Sequence, residues 1–178
     1  MDRATELYRE YLNGNEDAAH GILDELFYGL VFFIDRIIRD VYASEDIALD
    51  VISDLFVGKP KYDFRTSLKT YVYMRAKSRA LNHLRRRKRL AASELSEAEA
   101  CPDERAELEA AVLKSERRRE VDRAVDALPR DLREAVHLVY FEEMTYEEAA
   151  RVMGKSRKQV DNLLFRAKKQ LKVSLARE

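Results

Sequence analysis

The sequence is poor in the residues that staple or interrupt a chain: it has one cysteine, three prolines, five glycines and no tryptophan. The lone cysteine, Cys101, excludes an intramolecular disulfide and any multi-cysteine metal site. Only three histidines occur, His20, His83 and His137, far apart in sequence. No H-E-x-x-H, phosphate-cradling glycine loop or nucleophile elbow is present, so neither an enzyme nor a cofactor or metal site is expected. His137 in an apolar segment and His83 beside an arginine run read as packing or phosphate-contacting residues. The longest apolar stretch, Leu30-Val31-Phe32-Phe33-Ile34, falls well short of the roughly 20 residues that span a bilayer. The N-terminus, Met1-Asp2-Arg3-Ala4-Thr5-Glu6, lacks a signal peptide's cationic start and apolar core. A cytoplasmic protein without membrane insertion is expected.

What the sequence does have is segregated charge. Its 33 basic and 33 acidic side chains cancel over 178 residues. Residues 1–56 nevertheless carry 4 basic and 13 acidic side chains, 57–90 carry 12 and 1, 91–113 carry 1 and 7, and 114–178 carry 16 and 12. Net neutrality therefore conceals a dense cationic block between two anionic ones, each segment suited to a different partner.

Apolar residues recur at helical spacing and no sustained alternation of polar and apolar residues appears, so the fold class expected is all-α. Asn13-Gly14-Asn15 reads as a turn before a helix carrying Ile22, Leu26, Leu30, Phe33, Ile34 and Ile38. Ser44, followed by Glu45 and Asp46, reads as the N-cap of the next helix. Thr66 is expected to cap a long helix to about Arg89 whose inner face holds Leu68, Tyr71, Val72, Ala76, Ala80 and Leu84. Residues 91–113 have the composition of a tether, although 104–126 could be helical. Leu128 to Phe141 carries one apolar stripe behind Pro129, which sits where a helix would start. The architecture expected is two small helical bundles joined by an acidic linker: residues 1–90, linker 91–120, and residues 121–178.

The most informative motif lies near the C-terminus. Thr145 with Glu148 and Ser156 with Gln159 form two capping boxes eleven residues apart. Between them Ala150 is small where two helices would cross, Gly154 suits a left-handed helix end, and Val160 is an apolar plug. This is the steric pattern of a helix-turn-helix, whose second helix, about Arg157 to Leu171, would enter a DNA major groove. Residues 145–177 hold 9 basic and 3 acidic side chains, and Ser156, Arg157, Lys158, Gln159, Asp161, Asn162, Phe165, Arg166 and Lys169 avoid the apolar stripe. These are the candidate duplex-reading residues. Asp161 is the exception in sign: there it would repel phosphate or accept from cytosine.

The second feature is the cationic block, where Tyr62, Phe64, Tyr71 and Tyr73 alternate with Lys59, Lys61, Arg65, Lys69, Arg75, Lys77 and Arg79. Rings among cations suit unpaired nucleic acid, whose bases stack while cations follow the phosphates. Some of these rings must be core, and Tyr71 and Phe64 are the ones expected there.

Together these residues resemble regions two and four of the bacterial sigma factors, in the compact extracytoplasmic-function type. Ser44-Glu45-Asp46-Ile47, Phe64, Tyr71-Val72-Tyr73 and Leu84-Arg85-Arg86 look like region two. Leu128-Pro129, Arg133, Met144-Thr145-Tyr146-Glu147-Glu148-Ala149-Ala150 and Phe165-Arg166-Ala167-Lys168 look like region four. The resemblance implies a protein that binds core RNA polymerase, directs it to promoter DNA and helps open the duplex. Asp46, Leu49, Asp50, Ser53 and Asp54 would then meet the polymerase. Lys59, Lys61, Tyr62, Phe64, Arg65, Thr66, Lys69, Tyr73, Lys77, Ser78, Arg79 and Asn82 would meet the minus-ten element, and Ser156 to Lys169 the minus-35 element. It also admits an anti-sigma factor as a partner. Departures from the family pattern are Leu49 for glutamine, Tyr71 for tryptophan, Ser78 and Asn82 for asparagine and aspartate, and Asp161 at a position often basic. The alternative is a stand-alone helix-turn-helix regulator, which would dimerise to read two half-sites.

Overall fold

A computed structural model describes residues 2–57, 62–93 and 116–176. All regular structure among them is helical, as the periodicity predicts. The chain divides into two compact units, Met1–Arg85 and Arg86–Glu178.

The first unit contains α1 (Arg3–Leu12), α2 (Ala18–Ile38), α3 (Val41–Phe56) and most of α4 (Leu68–Ser93). Its core is built on α2, where Ile22, Leu26, Leu30, Phe33, Ile34 and Ile38 are fully buried at helical spacing. Ala48, Val51, Ile52 and Leu55 of α3 and Leu68, Val72, Tyr73, Ala76 and Ala80 of α4 complete it. Gly21 permits the close approach of α1 to α2: a Cβ there would lie 3.2 Å from the Leu7 side chain.

Two helix starts differ from the sequence expectation. The turn between α2 and α3 is made by Arg39, in the left-handed region at φ 58°, and α3 starts at Val41 with Asp40 as its cap, accepting from the Ala43 N–H at 3.0 Å. Ser44 lies inside that helix, buried, and its hydroxyl donates to the Asp40 carbonyl at 2.6 Å. A positive φ at an arginine costs about 1–2 kcal/mol and has no sequence signal, so nothing local marks a helix start four residues before Glu45. At α4, Ser67 rather than Thr66 accepts from the Thr70 N–H, at 3.1 Å. The two N–H groups before it are taken by α1: Leu68 N donates to Thr5 Oγ1 at 2.7 Å and Lys69 N to Asp2 Oδ2 at 3.1 Å. Asp2 also caps α1 itself, accepting from the Thr5 N–H at 3.1 Å and from the Thr5 hydroxyl. One pair of side chains thus satisfies orphan donors at two helix starts.

The second unit contains α5 (Glu116–Asp126), α6 (Arg130–Val136), a π-helical turn (His137–Phe141), α7 (Tyr146–Met153) and α8 (Arg157–Leu175). Pro129 stands just before α6, where its missing donor is harmless. The single stripe expected through Phe141 is broken by the π turn. Widening the turn keeps His137 and Leu138 buried but swings Tyr140 and Phe141 to the surface. The part of 104–126 that is described is helical from Glu116; 94–115, with Cys101 and most of the tether, lie outside the described residues.

Replacing the fully buried Tyr73 by alanine should cost about 3–5 kcal/mol in urea unfolding, while Tyr73→Phe, which keeps the volume, should cost under about 1.5 kcal/mol.

Candidate nucleic-acid interface

The helix-turn-helix is built as its spacing predicts. Thr145 Oγ1 accepts from the Glu148 N–H at 3.2 Å while the Glu148 carboxylate accepts from the Thr145 N–H at 2.9 Å. At α8 Ser156 Oγ accepts from Gln159 N at 3.2 Å and Gln159 Oε1 accepts from Ser156 N at 2.8 Å. Gly154 ends α7 at φ 65° with its N–H donating to the Ala150 and Arg151 carbonyls, and the Lys155 N–H donates to the Ala150 carbonyl at 2.9 Å. Ala150 and Val160 are both buried, so the small residue and the plug meet the core as expected.

Val160, Leu164 and Ala167 turn inward, which leaves Ser156, Arg157, Lys158, Gln159, Asp161, Asn162, Phe165, Arg166 and Lys169 exposed along α8. Phe165 is 71% exposed, an unusual place for a ring unless it meets a partner. Ser156 and Gln159 serve the cap, and the amide NH2 of Gln159 still faces outward for an external acceptor. Arg157 Nε lies 2.9 Å from Glu147 Oε1, tying the start of α8 to α7. Sequence reasoning did not single out Lys168 as a contact residue. Its ammonium lies 5.4 Å from the centre of the Tyr140 ring, and a hydrogen bond to Tyr140 raises its pKa. Only the π turn puts that ring there, and no periodicity signals it.

In the first unit the expected single-strand set divides. Tyr73 is fully buried, 5.2 Å centre to centre from Phe33, so its ring is core and not a stacking platform. Tyr62 is also buried; its hydroxyl donates to the Thr66 carbonyl at 2.7 Å and so folds the loop before α4. Burial pushes the Tyr62 and Tyr8 hydroxyls above the usual phenol range, keeping both as neutral donors. The two rings expected in the core lie nearer the surface: Tyr71 is half-buried and Phe64 is exposed, at φ 59°, with the Arg9 guanidinium 5.3 Å from its centre. Alternation along α4 could not tell 71 from 73, because the inner face follows Leu68, Val72 and Ala76, and residue 73 falls between that stripe and α2.

Lys59 and Lys61 lie outside the described residues. Arg65 is exposed and pairs with Asp63 at 3.1 Å. Lys69 sits 6.0 Å from the Tyr73 ring centre, and Lys77 is half-buried. Ser78 and Asn82 are exposed, and Asn82 Oδ1 accepts from Arg85 at 3.1 Å.

Arg79 was expected to face nucleic acid, but it reaches α3. Its Nη1 lies 3.0 Å from Asp50 Oδ2 and its Nη2 2.5 Å from Asp54 Oδ2, with Arg75 3.5 Å from the same Asp54 oxygen. The five residues expected to meet the polymerase thus separate: Asp46, Leu49 and Ser53 are exposed, while Asp50 and Asp54 also hold α4.

Comparison with known proteins agrees with this geometry. Residues 118–171, which cover all of α6, the π turn and α7 and most of α5 and α8, match the family described as Sigma-70, region 4. The C-terminal domain is a sigma-70 region 4 domain. Two solved structures share the fold of the larger part of the chain. The sigma factor RpoE from Bartonella quintana, in complex with the anti-sigma factor NepR, has a TM-score of 0.66 at 18% identity, over 86% of this chain and 94% of that one. CnrH, in complex with the cytosolic domain of CnrY, has a TM-score of 0.67 at 19% identity, over 99% of each chain. No curated protein sequence matches.

Two measurements test the local geometry of region 4 and of the α3–α4 pairs. Ser156→Ala should destabilise region 4 by about 1 kcal/mol through loss of the cap. A double-mutant cycle on Asp54 and Arg79 should return about 0.2–1 kcal/mol, since both side chains remain partly exposed.

Proposed function

We propose that the protein acts as a sigma factor of the extracytoplasmic-function type. The observation that carries the reading is the region 4 helix-turn-helix, with its exposed cationic α8, on a chain that shares its fold over 86% of its length with the sigma factor RpoE. In this reading residues 1–90 bind core RNA polymerase and the minus-ten element, 91–120 form an acidic linker, and 121–178 read the minus-35 element. Bond-making chemistry belongs to the polymerase, and the site of action is the cytoplasm. No described helix is long and apolar enough to cross a membrane.

The roles follow from exposure. Asp46, Leu49 and Ser53 stand at i, i+3 and i+7 on one face of α3, an apolar residue flanked by polar ones, and meet the polymerase with Asp50 and Asp54 beside them. Near the minus-ten element, Phe64 and the exposed edge of Tyr71 supply stacking surface while Arg65, Lys69, Lys77, Ser78 and Asn82 supply cations and hydrogen bonds. Tyr62 and Tyr73 shape that surface from within. On α8, Lys158, Asn162, Phe165 and Lys169 lie along the outermost line, with Arg166 beside it on the phosphates. The RpoE structure holds an anti-sigma factor, and a protein of that type is the regulator expected here.

The test is assembly with core RNA polymerase. A one-to-one complex is expected, weakened at least tenfold by Asp46→Lys with Leu49→Glu, whereas a dimer that binds a palindrome and ignores polymerase would support a stand-alone regulator. Arg166→Ala should lower the slope of log affinity against log salt for minus-35 duplex by about 1. An unchanged slope would remove Arg166 from the phosphate set.

A further inference from the structure

The exposed face of α8 carries six cations, Arg157, Lys158, Arg166, Lys168, Lys169 and Lys172, and a single acid. Asp161 stands one turn beyond Arg157 and Lys158, and with them and Tyr146 it lines an open groove of about 430 Å³ where α7 meets α8. A carboxylate on a helix presented to DNA lowers affinity for every sequence, because it repels the phosphates its neighbours attract. Such a residue needs a compensating role, and among the described residues it has only a minor electrostatic attraction to Lys168. Of the three acids in 145–177, Glu148 completes a capping box and Glu147 holds Arg157. Asp161 makes no hydrogen bond or ion pair among the described residues. Arg157, four residues earlier, is the residue placed to neutralise it, but its Nε is drawn to Glu147 Oε1 at 2.9 Å. Nor does the helix dipole account for it, since Asp161 lies beyond the first turn of α8.

We propose that Asp161 is a specificity residue of region 4: its carboxylate accepts a hydrogen bond from the N4 amino group of a cytosine in the major groove, and Glu147 keeps it available by holding Arg157. The inference rests on α8 being the duplex reader. Two bases present an amino donor there, cytosine N4 and adenine N6. Adenine places the N7 acceptor beside its donor, which repels a carboxylate; cytosine has a C–H on that side. Its partner guanine offers O6 and N7, the acceptors that the neighbouring Lys158 ammonium suits. An acceptor next to a donor on one helix turn therefore matches a G·C pair better than an A·T pair.

The experiment is selection from a random promoter library by core RNA polymerase assembled with the full chain, wild type against variants. Wild type should prefer cytosine at one position of the upstream element by about tenfold or more. Asp161→Asn should move that preference to adenine, because a carboxamide matches adenine N6 and N7, and Asp161→Ala should erase it, with neighbouring positions unchanged. Glu147→Gln, which releases Arg157 toward Asp161, should weaken the cytosine preference several-fold with Asp161 intact; a merely structural Glu147 would lower all sequences equally. Cytosine preference kept in both Asp161 variants, or a uniform gain on every sequence, would overturn the inference and leave Asp161 as an electrostatic brake. If wild type selects no upstream sequence at all, the duplex-reading role of α8 fails, and the inference with it.

Discussion

The first unit depends on how its most cationic helix is held. α4 carries most of the positive charge of the block and would repel itself from any like-charged neighbour, yet it forms one wall of the core. It is fixed at its start by Asp2 and Thr5 of α1, which take the Leu68 and Lys69 N–H groups, and along its side by Asp50 and Asp54 of α3, which take Arg79. Each anchor is anionic or hydrogen-bond accepting, and each comes from the acidic N-terminal segment. The segregation of charge in sequence is thus partly an internal pairing: some of the negative block faces the positive block rather than an outside partner.

That pairing also ties two surfaces together. Asp50 and Asp54, which lie beside the α3 face proposed to meet the polymerase, also hold Arg79 of α4, so a cation brought to these carboxylates competes with Arg79 for them. In region 4 the same economy appears in smaller form. Glu147 serves Arg157, Glu148 serves the cap, and the turn is shaped by one left-handed glycine between two capping boxes.

The parts legible in sequence were those written in local chemistry. Capping boxes, a glycine at a helix end and an apolar stripe are short-range signals, and 145, 148, 150, 154, 156, 159 and 160 all fall where their residue types require. What was misread depends on residues distant in the chain. Ser44 had the composition of a cap, but Arg39 took the left-handed conformation and Asp40 did the capping. Thr66 lost to Ser67 because α1, more than sixty residues away, supplies the other acceptors. Tyr73 and Tyr71 exchanged roles because burial was decided by Phe33 of α2. The exposure of Tyr140 and Phe141 needs a π turn that no periodicity announces.

As a sigma factor, this chain would supply promoter recognition to a polymerase that lacks it. The most direct measurement is transcription from linear duplex templates by core RNA polymerase with and without the purified protein. Defined start sites should appear only when the protein is present, downstream of a two-part element read by both units. Start sites unchanged by the protein, with the chain bound to DNA as a dimer and no complex with polymerase, would contradict it.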